Sequence, residues 1–565
     1  MRETLNWNVL KKAVPALVLT TTLTAGIVMA SGEPETQGIP KNTEITKNRF
    51  IQVQLLGVND LHGQLNITRK FNQRDVGSVE FLAAYLKQKK AENKNTLLVH
   101  AGDMVGASAP VSSLLQDEPT IKVLNKIGFD LGTPGNHEFD QGVNEMMRLI
   151  HGGFHLKTGF FEGAQFPYVC ANVIDVKTRK PLLPPYKIIK LNGISIGFIG
   201  VVLNETPTMV NLKGIKGVKF IDEVKAINKS VAQLKEQGVK AIIILAHNEG
   251  RQSTPNGAAT GEIVKIAKRV DNEVDVMFAG HSHTYLNTEV DGKLLVQAYS
   301  YGTAFSVVNL EIDPTTKDIV SKKAEIVITY QDAIKPDKEI KEMVEMYEAE
   351  VASYVNEVVG TAANDISSNR NENGESALGN LIADSQRKVM NSDFSFMNPG
   401  GIRADLQEGE VTYEELLTIQ PFKRKLVKMT LTGDQVRRLL NQQWQPGKVR
   451  MLQVSGLKYT WDGTKPSGSK VNDIFVTDGT AIDPKARYTV TVNEYMADGG
   501  DNFTVLLDGT NKVIGPIDID VFKTYVKQLK QPFSSSIEGR IKKVHYPSGK
   551  DYHIEIFHLL EKHHK

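Results

Sequence analysis

Five short polar clusters in the first half of the chain constrain it most, because each falls where an apolar run ends. They are Asp60-Leu61-His62, Gly102-Asp103, Gly135-Asn136-His137-Glu138-Phe139-Asp140, His247-Asn248 and Gly280-His281-Ser282-His283. The runs before them, 51–58, 96–100, 241–246 and 274–279, read as β-strands, and only the third cluster lacks a clear one. In an open α/β sheet, groups at the carboxyl ends of neighbouring strands converge on one crevice. Asp60, Asp103, Asn136, His62, His247, His281 and His283 brought together there form a donor set for two divalent cations. Paired cations a few ångströms apart suit hydrolysis of phosphate esters.

The spacing within the clusters supports this reading. Asp60 and His62 are two apart at a strand end, so both side chains are expected on one side, and the same holds for His281 and His283. Asp103 follows a glycine, which lets the backbone turn sharply and leaves the carboxylate projecting, and a carboxylate can bridge two cations. Asn136 offers a neutral carbonyl oxygen and His247 an imidazole nitrogen. His137 and Asp140, three apart at an expected helix start, can meet side by side. No Gly-x-Ser-x-Gly elbow and no P-loop occurs in the sequence, so a serine or phosphate-loop mechanism is not indicated.

At 565 residues the chain exceeds one ordinary core, and two domains with appendages are expected. Its formal net charge of +2 resides in the leader, where Arg2, Lys11 and Lys12 face Glu3, so the rest is near neutral. That balance gives no argument for a nucleic-acid polymer or an anionic membrane as partner. Residues 1–30 read as a secretory signal peptide ending Val28-Met29-Ala30, and no integral membrane segment is expected after its removal. The expected localisation is therefore export: secreted, cell-surface or periplasmic. Cys170 is the only cysteine, which excludes an intrachain disulfide and reads as a small core residue.

Residues 31–49 read as a flexible lead-in. Over residues 50–330, strands alternate with helical patterns at 78–90, 221–237 and 261–270, predicting a layered α/β sandwich. Its last portion, 293–329, reads as a short β meander. A linker helix is expected within 331–359, packed by a stripe of Ile340, Met343, Met346, Tyr347, Val351 and Tyr354. A second domain of α+β class follows over residues 360–544. Helices are expected at 378–390, 413–419, 432–442 and 519–529, and strands at 451–461, 473–476 and 488–493. Residues 545–565 form a His- and Lys-rich tail.

The ordered clusters resemble the calcineurin-like metallophosphoesterases, and Gly135-Asn136-His137-Glu138-Phe139-Asp140 is similar to their 5'-nucleotidase branch. The resemblance implies one cation held by Asp60, His62, Asp103 and His283, and a second by Asp103, Asn136, His247 and His281. It also implies a catalytic dyad, with Asp140 orienting His137 to stabilise the transferred phosphoryl group, and a metal-activated water as nucleophile. The metals could be Zn, Mn, Fe or Co.

Three segments of the second half resemble the nucleoside-reading domain of that family. Asn398-Pro399-Gly400-Gly401-Ile402-Arg403 implies Arg403 on a phosphate or ribose oxygen and Asn398 on the base, although Pro399 stands where Gly is more usual. Phe422 and Tyr495 match the pair of rings that sandwich a base, and Asp501 matches an acceptor for ribose hydroxyls. Arg370 precedes a Leu-Gly-Asn segment and is a further phosphate or ribose candidate, with a solvent-exposed loop arginine as the equal alternative. The implied activity is phosphate release from 5'-nucleotides. Cleavage of 2',3'-cyclic nucleotides, 3'-nucleotides or UDP-sugars is the alternative, and a non-catalytic nucleotide-binding surface protein a remote one. A linker between two such domains also suggests rigid-body closure over the substrate.

Overall fold

The computed structural model describes residues 50–544; the expected leader, lead-in and tail lie outside them. Strand β1 (Ile51–Val58) pairs in parallel with β2 (Thr96–His100), which continues to the two-residue β3 (Leu131–Gly132). Helix α1 (Val79–Glu92) lies between β1 and β2 in the chain. A second sheet is built from β4 (Tyr186–Leu191), β5 (Ile194–Val202), β6 (Ala241–His247), β7 (Val274–Phe278), β8 (Tyr285–Val290) and β9 (Lys293–Ala298). Its spatial order is β8-β9-β7-β6-β5-β4, with β5, β6, β7 and β9 parallel neighbours. Helices α2 (Glu223–Glu236) and α3 (Glu262–Ala267) cross over between these strands. Strands β10 (Ala304–Ile312) and β11 (Ile319–Ile328) then return to the first sheet, whose order is β11-β10-β1-β2-β3.

The layered α/β sandwich expected from the sequence is thus built of two sheets packed together, so the clusters reach the crevice from both layers. Val53, Leu55 and Val99 of one sheet share a buried core with Phe198, Ile243, Leu245 and Phe278 of the other. The sheets approach so closely that a Cβ on Gly57 would lie 2.3 Å from the Phe278 ring. The β meander expected at 293–329 is also corrected, since the chain leaves the second sheet after β9 and enters the first at β10. Apolar alternation marks both strands equally and carries no record of which sheet each joins. Cys170 is buried in the core, and burial pushes its thiol up to about 12.

Helix α4 (Lys338–Val355) starts at Asp337, whose side chain accepts the Ile340 N–H at 3.1 Å. Its buried stripe is Ile340, Val344, Tyr347, Val351 and Val355. Met346 and Tyr354, expected in that stripe, face solvent, because the apolar positions that repeat at helical spacing include Val344 and Val355 instead. Ile340, Val344 and Tyr347 join the core of the N-terminal sandwich, whereas Val351 and Val355 join that of the C-terminal part. One helix thus packs into both cores rather than merely spanning them.

Beyond it, α5 (Ala377–Met390), α6 (Tyr413–Ile419), α7 (Gly433–Asn441) and α8 (Asp518–Gln528) accompany a sheet ordered β14-β12-β15-β13-β16. These strands are β12 (Phe394–Met397), β13 (Lys425–Thr432), β14 (Gln453–Ser455), β15 (Arg487–Asn493) and β16 (Thr510–Ile517). Thr412 with Glu415, and Thr432 with Gln435, form capping boxes that fix the starts of α6 and α7. The single strand expected at 451–461 is broken at Gly456, whose φ of 87° lies in the left-handed region and sends the chain into another sheet.

Candidate metal centre and nucleotide cleft

All seven expected ligands meet at one place. His62 Nε2 lies 3.1 Å from His283 Nε2, and Asp60 Oδ1 lies 3.4 Å from the same His283 nitrogen. Asp103 Oδ2 stands 3.0 Å from His247 Nε2 and 3.7 Å from His62 Nε2, so one carboxylate oxygen faces both halves of the cluster. Ligand atoms around one tetrahedral ion with bonds of about 2.1 Å are about 3.4 Å apart, the spacing seen here. Asp60, His62 and His283 form one compact group, and Asp103, His247 and His281 another.

The backbone delivers these side chains in a way that strand alternation does not. Asp60, His62, Asp103, His281 and His283 have φ values of 52°, 51°, 52°, 72° and 56°, all left-handed. The expectation that Asp60 with His62, and His281 with His283, share a side by strand pleating is corrected accordingly. They sit past the strand ends in conformations costly for non-glycine residues, a strain that accumulates at functional sites. Packing enforces it: a Cβ on Gly102 would lie 2.5 Å from Gly135 N, and one on Gly135 would lie 2.2 Å from Asp103 Oδ1.

The imidazoles are oriented from behind. His62 Nδ1 meets Gly106 O at 2.7 Å and His247 Nδ1 meets Ala101 O at 2.8 Å. A carbonyl accepts only from N–H, so each Nδ1 carries a proton and each Nε2 faces the crevice, where the Asp103 carboxylate raises the His247 imidazole to about 9 against the effect of burial. Burial holds His62 and His281 well below the usual imidazole range, which favours the neutral, ligating form. Asn136 Oδ1 is buried without a hydrogen-bond partner among the described residues. Such an orphaned acceptor is costly unless a donor or cation completes it, so the residues present fit a pair of divalent cations.

Glu138, which has no role in the sequence reading, ties the two ligand-bearing loops together. Its carboxylate accepts the N–H groups of Asp103 at 2.9 Å, Met104 at 2.8 Å and Gly135 at 2.5 Å. Burial and the Asp103 charge raise its carboxyl to about 7 in spite of these donors. Its place inside the third cluster was the only signal available. His137 begins a short 3₁₀ turn, and its Nδ1 meets Asp140 Oδ2 at 2.7 Å. Burial lowers the His137 pKa, but the Asp140 and Asp103 carboxylates outweigh it and leave the imidazole above its ordinary value.

The centre opens into a cavity of about 770 Å³ that is lined from both parts of the chain. Asn398, Arg403, Phe422, Tyr495 and Asp501 line it together with Asp103, Asn136, His137, His281 and His283. Phe422 stacks on His137, with centroids 5.9 Å and planes 20° apart. Arg403 keeps Nη2 buried without a partner among the described residues. Asp501 is already engaged: Oδ1 receives Tyr495 Oη at 3.1 Å and Arg450 Nε at 3.2 Å, and Oδ2 receives Asn398 Nδ2 at 2.9 Å. Arg370 is not brought in; it is exposed and lines a neighbouring cavity beyond Pro399 and Ile402. Among the described residues no helix is long and apolar enough to cross a membrane.

Comparison with known proteins agrees with this geometry. Residues 53–285 match the calcineurin-like phosphoesterase family, and residues 358–508 match the C-terminal domain of 5'-nucleotidases. An endonuclease of Bacillus subtilis is 44% identical over 91% of this chain, which spans 42% of that protein's length. A cell wall protein of Listeria monocytogenes is 35% identical over 87% of this chain and 69% of its own length. The crystal structure of a 5'-nucleotidase precursor from Thermus thermophilus superposes with a TM-score of 0.77 at 28% identity, covering 88% of this chain and 100% of that one. The chain belongs to the 5'-nucleotidase family of calcineurin-like, metal-dependent phosphoester hydrolases.

Proposed function

We propose that this protein is an exported nucleotide phosphohydrolase that releases phosphate from 5'-nucleotides. The observation that carries the reading is one crevice in which clustered metal donors, the His137–Asp140 pair and the Phe422 and Tyr495 rings line a common cavity. Asp60, His62, Asp103 and His283 would hold one divalent cation, and Asp103, Asn136, His247 and His281 the other, with Asp103 shared. When bound, the cations supply Lewis-acid polarisation of the phosphoryl group and lower the pKa of an attacking water.

The chain's own residues do the rest. The raised pKa of His137, set by Asp140 and Asp103, keeps a proton available for a phosphoryl or leaving oxygen. Arg403 presents an unpartnered Nη2 to the same phosphate, where a planar fork matches its geometry. Phe422 and Tyr495 take the base with Asn398 at its edge, and Asp501, which accepts Asn398 Nδ2, takes the ribose hydroxyls. On this reading the domain boundaries fall at about residue 330 and about residue 360, with α4 between. Export is supported by the leader sequence and by a relative described as a cell wall protein.

A substrate panel tests the reading: 5'-AMP, 3'-AMP, 2',3'-cyclic AMP, ATP and UDP-glucose with several added divalent metals. The reading expects metal-dependent phosphate release with the highest kcat/KM on 5'-AMP. Faster turnover of the cyclic ester or the UDP-sugar would move the assignment to those substrates.

A further inference from the structure

A third planar group of the chain lies against both aromatic rings. The guanidinium carbon of Arg424 stands 4.7 Å from the Phe422 ring centroid and 4.1 Å from that of Tyr495. A guanidinium is flat, delocalised and weakly hydrated, so it stacks on an aromatic face much as a nucleobase does. Arg424 lines the same cavity as the metal ligands, and Phe422 also stacks against His137.

Its attachment suits a removable occupant. The backbone is fixed: Arg424 N–H donates to Asp518 Oδ1 at 3.0 Å, and Arg424 O accepts the Asp518 N–H at 2.8 Å. The guanidinium, by contrast, has no hydrogen bond or ion pair among the described residues; its contacts are the two ring faces. Side-chain rotation alone would take it out without breaking a hydrogen bond. Asp518, buried and lining the same cavity beside it, already interacts with this cation by charge, although burial raises its carboxyl to about 7.

We propose that Arg424 is an internal competitor for the nucleobase slot and thereby a specificity-determining residue. The proposal rests on the reading of this slot as the base site. Competition of this kind multiplies the dissociation constant of every base-bearing ligand by one common factor, because each must pay the same displacement. Phosphate esters without a base are not penalised. Arg424 therefore sets how large an advantage nucleotides hold over base-less esters, and its return to the slot helps the product nucleoside leave.

Calorimetric titration of adenosine and uridine into the full chain tests this, since nucleosides carry no phosphate and the readout needs no turnover. R424A is expected to bind both more tightly, by the same factor of about tenfold. R424K keeps the charge but loses the planar group, and is expected to follow R424A. In parallel, KM for 5'-AMP falls in R424A while KM for ribose 5-phosphate does not. Weaker or unchanged adenosine binding by R424A, unequal factors for the two nucleosides, or wild-type behaviour of R424K would each overturn the competitor role while leaving the base site standing. Failure of wild type, R424A and R424K alike to bind either nucleoside would overturn both the competitor role and the base-site reading.

Discussion

Substituting Glu138 by glutamine should loosen the metal centre without touching a ligand. The native carboxylate receives the Asp103 and Gly135 N–H groups on Oε2 and the Met104 N–H on Oε1. A glutamine keeps one acceptor oxygen, so its NH₂ must face at least one of these buried N–H groups. A buried donor left unpaired costs about 1–3 kcal/mol, and loss of charge assistance adds to it. Relief of repulsion between Glu138 and Asp103 offsets part of this, since that charge helps raise the Glu138 carboxyl to about 7. A net loss of about 2 kcal/mol in the metal-free protein is expected. Outer groups that orient ligands are worth about 10–100-fold in metal affinity, and E138Q should fall in that range. Urea denaturation of the metal-free protein and competition with a chelator read the two effects separately. Stability within about 0.5 kcal/mol of wild type together with metal affinity within about twofold would refute the clamp.

Two further outcomes follow from the packing and the buried acids. G57A places a Cβ 2.3 Å from the Phe278 ring and should cost about 1–3 kcal/mol by overpacking, with part recovered in G57A/F278L, as denaturation midpoints will show. Asp275 is buried, and burial raises its carboxyl from 3.8 to about 7. The folded state then holds this proton more tightly than the unfolded chain, so stability falls as pH rises from about 4 to about 7. D275N should flatten that slope, by up to about 4 kcal/mol across the window, in denaturation series at fixed pH steps; an unchanged slope would remove Asp275 from the account.

Much of the site was legible because its residue types are expensive anywhere else. Asp60, His62, Asp103, His247, His281 and His283 stand at strand ends where an apolar run stops, and β1 and β2 have the bounds their apolar runs predict. What the sequence could not convey lies in three dimensions. Membership of two sheets is decided by side-chain fit such as Gly57 against Phe278, to which period-two alternation is blind. Left-handed φ at five of the ligands runs against their intrinsic preferences and is imposed by the packing of neighbouring loops. Glu138 and Arg424 look like ordinary surface charges in a one-dimensional reading. Their roles come from what lies opposite: a cradle of N–H groups for one, two ring faces for the other. Arg370 shows the converse: the motif offered it to the cleft and its loop offered it to solvent, and the fold leaves it exposed on a neighbouring cavity.

The central claim is that this crevice works through two cations sharing Asp103. Phosphate release from 5'-AMP by chelator-stripped protein, followed as a divalent metal is added back in known amounts, tests it most directly. The account predicts no turnover in the stripped protein and recovery that saturates at two equivalents per chain. Full turnover without metal, or saturation at one equivalent, would contradict it.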